Sequence, residues 1–210
     1  MAVEHAEFGH IVHAIRGWDF ASSTEEEADY TSSCLMVSTS LNYRIILDVT
    51  NDRVAPGSRD LLVRRKAEED GPGVSIAIER EPGSSGDDVI LHYVKLLQEF
   101  NVIGRRSSKS KLLRAQGLAS WFEHGLMRCL RAAWNSIFFA QLKAFPNGDH
   151  DDMVDAASLS FNEIRTMIAE LRGDLIASGG KSTPYKPVTL GDLEDGNLKD
   201  ILTSLRNRRR

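Results

Sequence analysis

FPNGDHDDMVDA, residues 145–156, sets three carboxylates, Asp151, Asp152 and Asp155, and the imidazole of His150 within six residues. Beyond the acids, Met153, Val154, Ala156, Ala157, Leu159 and Phe161 recur with helical spacing, which predicts a helix over 151–171. The acids then stand at the helix start, where Asp caps free N–H groups and meets the positive end of the helix dipole. Asp151 and Asp155 are four apart and share a helix face, where like charges repel unless a cation lies between them. Two readings stand. One is an acidic first turn with no further role. The other is one arm of a carboxylate site for Mg²⁺ or Mn²⁺, hard ions that take oxygen ligands. The second requires further carboxylates where strands end.

Upstream, IVHAIRGWDFA (11–21) reads as a first strand. Ile11, His13, Ile15, Gly17 and Asp19 fall on one face and Val12, Ala14, Arg16, Trp18 and Phe20 on the other. Apolar residues on both faces predict a central strand. Asp19 at its end either caps the acidic loop that follows or is a costly buried charge awaiting a partner. Runs at 31–40 and 43–50 predict a hairpin turning at Asn42. Residues 56–70 predict a helix with Pro56 in its first turn, stopped by Gly71-Pro72-Gly73. VSIAIE (74–79) predicts a strand, with Glu79 at its end and Glu81 two residues beyond. A helix over 87–100, a strand over 101–104, a helix over 111–124, a short strand over 126–131 and a helix over 134–145 complete the pattern. The expected fold is α/β: a mixed sheet, antiparallel meander then parallel strands with right-handed crossovers, flanked by helices. One domain is expected over 1–173. A tail, rich in Gly and Pro and ending in Arg206-Asn207-Arg208-Arg209-Arg210, covers 174–210.

The net charge of −4 over 210 residues excludes a generally basic nucleic-acid coat, and 41% apolar residues suffice for a core. The basic residues are clustered, however. Arg105, Arg106, Lys109, Lys111 and Arg114 alternate with hydroxyls, either as a solvated loop and helix start or as a grip on DNA phosphates. The two cysteines, Cys34 and Cys129, lack zinc-ligand spacing and are expected to be reduced thiols of a cytosolic protein. No run approaches the roughly 18 apolar residues of a membrane span, and no signal-peptide pattern opens the chain. The Gly/Ser loop before residue 87 lacks the G-x-x-x-x-G-K-[ST] spacing of an NTP-binding loop.

Three acidic sets therefore lie on separate elements: Asp19, the pair Glu79 and Glu81, and the trio Asp151, Asp152 and Asp155. Together they meet the requirement of two-metal phosphodiester hydrolysis, in which two cations about 3.5–4 Å apart are held by converging carboxylates. Lys111 and His150 are candidates for neutralising charge or moving protons.

RGWDFA, with DYT ten residues after its Asp, IEREPGSSG, KLLRAQ and FPNGDHDDMVDA keep the order of a known family. Over residues 12–170 the chain resembles the C-terminal nuclease domain of the tailed-phage terminase large subunit. The resemblance implies a ribonuclease-H-like fold and a Mg²⁺- or Mn²⁺-dependent endonuclease that cuts concatemeric double-stranded viral DNA during packaging. By motif, Asp19 is the first metal ligand. Glu81, or Glu79 in its place, is the second. Asp152, assisted by Asp151 and beside Asp155, supplies the third. Implied partners are double-stranded DNA, the portal protein, the small terminase subunit and the ATPase motor, all in the host-cell cytoplasm. Two features depart from the family. No Walker motif is present, so an excised domain, a split gene or a prophage remnant is expected, and residues 23–29 are unusually acidic. The competing readings are another ribonuclease-H-like nuclease, such as a junction resolvase, and a non-catalytic module docking DNA or portal.

Overall fold

A computed structural model describes residues 8–20, 30–80, 84–106 and 110–177. Among these, six strands and five helices alternate as the hydrophobic pattern requires. They are β1 (Ile11–Asp19), β2 (Thr31–Thr39), β3 (Arg44–Asp52), α1 (Pro56–Asp70), β4 (Ser75–Arg80), α2 (Ser84–Leu96), β5 (Val102–Arg106), α3 (Lys111–Glu123), β6 (Met127–Cys129), α4 (Asn135–Ala144) and α5 (Asp152–Ala177). The sheet order is β5-β4-β1-β2-β3-β6. β1, β2 and β3 pair antiparallel. β4 lies parallel to β1, β5 to β4 and β6 to β3. The expected meander-then-parallel sheet is thus the observed one, with β1 at its centre. Asn42 takes the positive φ of 65° that the β2–β3 turn requires.

Several boundaries differ from the sequence pattern. α2 begins at Ser84 and α5 continues to Ala177. β5 runs on to Arg106, because the parallel ladder continues through Glu79↔Arg105 and Arg80↔Arg106. Arg105 and Arg106, expected in a loop, are therefore strand residues with alternating directions.

The period-2 alternation of β1 separates two packed layers. Ile15, with Cys34, Met36 and Ala77 of the neighbouring strands, packs under Met153, Ala156, Ala157, Phe161 and Ile164 of α5. Trp18, with Ile76 and Ile78, packs under Leu62, Val63 and Ala67 of α1 and Tyr93 and Leu97 of α2. On the α5 side, Gly17 allows the helix to come against the sheet. Its N–H donates to Ser160 Oγ at 2.9 Å, and that hydroxyl donates in turn to the Cys34 carbonyl at 2.8 Å. A Cβ at residue 17 would stand 2.5 Å from Ser160 Oγ and 2.9 Å from the Ala156 carbonyl.

On the opposite face Arg16, 1% exposed, ties α1 to three strands. Its guanidinium donates to Asp70 through Nε at 2.5 Å and Nη2 at 2.9 Å, to Asp48 at 3.0 Å and to Ser33 at 2.8 Å. Lys66 of α1 donates to the same Asp48 at 3.0 Å. A buried charge is tolerated only when paired and hydrogen-bonded this completely. No helix among the described residues is long and apolar enough to cross a membrane.

Replacing Arg16 with Met strands Asp70 without its cation, and is expected to cost about 3–5 kcal/mol in urea unfolding. Gly17→Ala is expected to cost about 1–3 kcal/mol by pushing α5 off the sheet. A Gly17→Ala protein as stable as the wild type would show that α5 is not held against β1 at this point.

Candidate active site

Asp19 follows Gly17 by two residues, so it stays on the α5 face and lies ~7 Å further along β1. Along α5, the residues one to two turns before Ser160 are Asp155 and Asp152, ~7–12 Å back along the helix axis. The close approach at Gly17 therefore carries the end of the strand to the start of the helix. The parallel pairing of β1 and β4, Trp18↔Ile78, sets Glu79 beside Asp19 on the same face. Alternation, pairing and helix pitch thus bring Asp19, Glu79, Asp152 and Asp155 into one site from positions far apart in the chain.

Electrostatics report the convergence. Asp19 keeps partial exposure, yet its pKa is pushed up to about 8. Burial is the largest cause, followed by the negative charges of Asp155, Glu79 and Asp152, against which Lys111 pulls the value down. Asp155 is buried at 4% exposure. Two cations of α3 pair with it: Lys111 Nζ at 2.7 Å and Arg114 Nη2 at 3.1 Å. Lys111 also binds Asp151 at 2.8 Å, and Arg114 binds Glu79 at 2.9 Å. Burial works against the Lys111 charge, but the hydrogen bonds to Asp151 and Asp155 outweigh it and raise its pKa. His150 Nδ1 stands 4.0 Å from Asp152 Oδ2, and the ring meets Tyr30 edge-on with centroids 5.1 Å apart.

The first turn of α5 is fixed from outside the helix. The Asp151 carbonyl accepts from Val154 and Asp155 N–H, both at 2.9 Å. Gln141 of α4 accepts the Met153 N–H at 3.0 Å, satisfying one of the helix-start donors that has no partner within the helix.

Sequence reasoning named Asp19, Glu79, Asp151, Asp152, Asp155, Lys111 and Arg114, and the structure gathers all seven. Glu81, the first choice for the second acid, and Lys109 lie outside the described residues. Arg105 and Arg106 stand on β5. Arg105 forks onto Glu163 of α5 with two bonds of 2.6 Å. Glu163, 3% exposed, and Arg165 escaped notice. Their signal, the polar residues Asn162, Glu163, Arg165 and Thr166 within one stretch of the helix, was covered by the apolar pattern around them.

Among the described residues no three His, Cys, Asp or Glu side chains form a ready cation cage. The spaces between the carboxylates hold Lys111 and Arg114 instead. The donor set nonetheless suits a hard divalent cation. It is all oxygen, it comes from three elements, and its mutual repulsion is recorded in the raised pKa of Asp19.

The mixed sheet with helices on both faces and acids at the β1 end is that of a ribonuclease-H-like domain. The sequence matches the family described as Terminase RNaseH-like domain over residues 16–163, and the chain belongs to that family. No curated protein matches it. Among solved structures, the chain is similar to the large terminase nuclease from thermophilic phage G20c with bound zinc. Identity there is 16% and the TM-score 0.53, over 71% of this chain and 80% of that one. It is also similar to the fowlpox virus Holliday junction resolvase, with 10% identity and a TM-score of 0.48 over 73% and 99% of the two chains. The yeast mitochondrial Holliday junction resolvase gives 13% identity and a TM-score of 0.45 over 78% and 86%.

Because the folded pKa of Asp19 lies above its unfolded value of 3.8, the native state binds the extra proton between about pH 4 and pH 8. Stability is full below the unfolded pKa and falls as pH rises through the folded one. In metal-free buffer, Asp19→Asn is therefore expected to melt several degrees above wild type at pH 9, with the gap closing towards pH 4. Parallel melting curves across that range would show that Asp19 carries no such strain.

Proposed function

We propose that the chain is the metal-dependent endonuclease domain of a phage packaging terminase, cutting double-stranded DNA concatemers. The observation that carries this is the convergence of Asp19, Glu79, Asp152 and Asp155 at one end of the central strands, with the Asp19 pKa raised by burial and by the charges of the other three. Asp19, Asp152 and Asp155, with Glu79 or Glu81, would hold Mg²⁺ or Mn²⁺, and Asp151 would assist. Bound there, a pair of such ions supplies an activated water and stabilises the departing oxygen.

The protein's own groups do the rest. Lys111 and Arg114 neutralise the acids in the metal-free state. Their displacement from Asp155 and Glu79 leaves two cations at the rim, where DNA phosphates would lie. Lys109 and Arg106 are near neighbours of this pair in sequence. His150, beside Asp152, is placed to take up or return a proton at its ring nitrogen. The expected setting is the packaging complex in the host cytoplasm, with the portal protein, the small terminase subunit and the ATPase motor as partners. Family membership supports this reading.

With Mn²⁺ the purified chain is expected to nick and linearise plasmid, and Asp19→Asn and Asp152→Asn to lower the rate at least roughly 100-fold. Cutting that persists in both variants, or a marked preference for branched over linear duplex DNA, would contradict the packaging assignment. Lys111→Met is expected to tighten Mn²⁺ binding by about tenfold in calorimetry, since a competing charge leaves the site. Unchanged or weaker binding would mean that Lys111 and the metal do not share the carboxylates.

A further inference from the structure

Arg44, at the start of β3, is as deeply buried as Arg16, 2% against 1% exposed, yet its surroundings differ. Arg16 meets two carboxylates and a hydroxyl. Arg44 has no carboxylate partner among the described residues. Its Nη1 donates to the Tyr43 carbonyl at 3.1 Å and its guanidinium lies over the Trp121 ring, 4.4 Å from the centroid. Its Nε is buried without an acceptor. A buried cation in that state is costly until an anion meets it.

The neighbourhood adds positive charge. The register His13↔Ser38↔Arg44 sets these residues in one row across β1, β2 and β3, on the α5 face of the sheet. Burial, and then repulsion from Arg165 of α5, brings the Arg44 pKa down to about 10. Burial, and then the Arg44 charge, lowers that of His13. Ser38 Oγ accepts the His13 N–H at 3.2 Å and, as a hydroxyl, can still donate. His13 is half-buried and Arg165 exposed, so the cluster reaches the surface. The row lies ~20 Å back along β1 from Asp19, at the other end of the sheet from the acids.

A guanidinium stacked on a ring leaves its edge for a planar carboxylate, met by two parallel N–H···O bonds. A DNA duplex is too broad to reach a group this deep, whereas a single Asp or Glu side chain is slender enough. The chain carries such groups within reach. α5 runs opposite to β1, back past this row, and rises ~18 Å from Arg165 to Ala177. The sequence GDLEDG follows at 191–196, with Asp192, Glu194 and Asp195. A coil of ~15 residues has an r.m.s. span of ~20 Å, close to that rise, and a linker matched to its span makes intramolecular pairing most effective. Glu4 and Glu7 also precede this end of β1, but Phe8 after them packs on Tyr43 and Arg128, on the face away from Arg44. We propose that Arg44, flanked by Arg165 and Ser38, binds a carboxylate of residues 191–196 and so pins that stretch of the chain to the end of the sheet remote from the acid cluster.

The test is a double-mutant cycle read by thermal melting of the full chain, in low salt without metal or phosphate. Asp192→Asn, Glu194→Gln and Asp195→Asn combined are expected to lower Tm by about 2–4 °C. In an Arg44→Gln background the same three changes are expected to cost less than half as much. Should Arg44→Gln fail to fold, Arg165→Gln, at an exposed position, carries the cycle. Equal losses in the wild-type and arginine-variant backgrounds would overturn the pairing, as would no loss at all. An arginine-dependent loss on Glu4→Gln with Glu7→Gln, in place of the 192–195 changes, would overturn the choice of segment. Inorganic phosphate is expected to raise Tm more in the triple variant than in wild type, because the site is then vacated. A rise equal in both, and absent with Arg44→Gln, would show a free oxyanion at Arg44 and overturn residues 191–196 as its occupant.

Discussion

The contact between Gly17 of β1 and Ser160 of α5 is the constraint on which the rest of the site depends. With no side chain at Gly17, the helix lies directly on the central strand, and Ser160 joins the two through hydrogen bonds to the Gly17 N–H and the Cys34 carbonyl. From that point the geometry has little freedom. Two residues along the strand lead to Asp19, and one to two turns back along the helix lead to Asp155 and Asp152. Neither distance is adjustable, because a strand and a helix have fixed rises. Any side chain at residue 17 lifts the helix and moves one half of the acid cluster from the other.

The opposite face of the sheet supports the same strand by different means. Arg16 points away from the acids into a buried network with Asp70, Asp48 and Ser33. Adjacent residues of β1 thus serve the two layers in turn: Ile15 and Gly17 under α5, Arg16 and Trp18 under α1. β1 is clamped from both sides, which is what an acid at its end needs if it is to sit among three others. Burial first, and then the charges of Asp155, Glu79 and Asp152, push the Asp19 pKa up to about 8. Lys111 and Arg114 relieve part of that repulsion, and both pair with the deeply buried Asp155.

Much of this was legible in the residues. The alternation of β1, the meander with Asn42 at its turn, the parallel strands and the helix after the acidic run all follow from local periodicity. The mixed sheet follows from their order, while the ribonuclease-H-like fold is what the resemblance to the terminase nuclease domain implies. The acids were legible because carboxylates at strand ends and a helix start are costly without a purpose. The boundary of β5 was less so, because Arg105 and Arg106 look like loop residues until the ladder to Glu79 and Arg80 is seen. Local pattern also fails to show that Arg105 serves Glu163, 58 positions away, or that Arg114 bridges Glu79 and Asp155. Such pairings are products of helix packing. Arg165 was missed for the same reason: its row on α5 acquires meaning only once α3 crosses at Gly117, where an added Cβ would stand 3.3 Å from the Arg165 guanidinium.

The measurement that bears most directly on the central claim is the location of Mn²⁺ by anomalous scattering in a crystal grown with the ion. The account predicts manganese at the β1 end with oxygens of Asp19 and of Asp152 or Asp155 within roughly 2.0–2.4 Å, and Lys111 withdrawn from Asp155. Manganese bound elsewhere, with the Lys111 and Arg114 pairs still closed over these carboxylates at saturating ion, would contradict it.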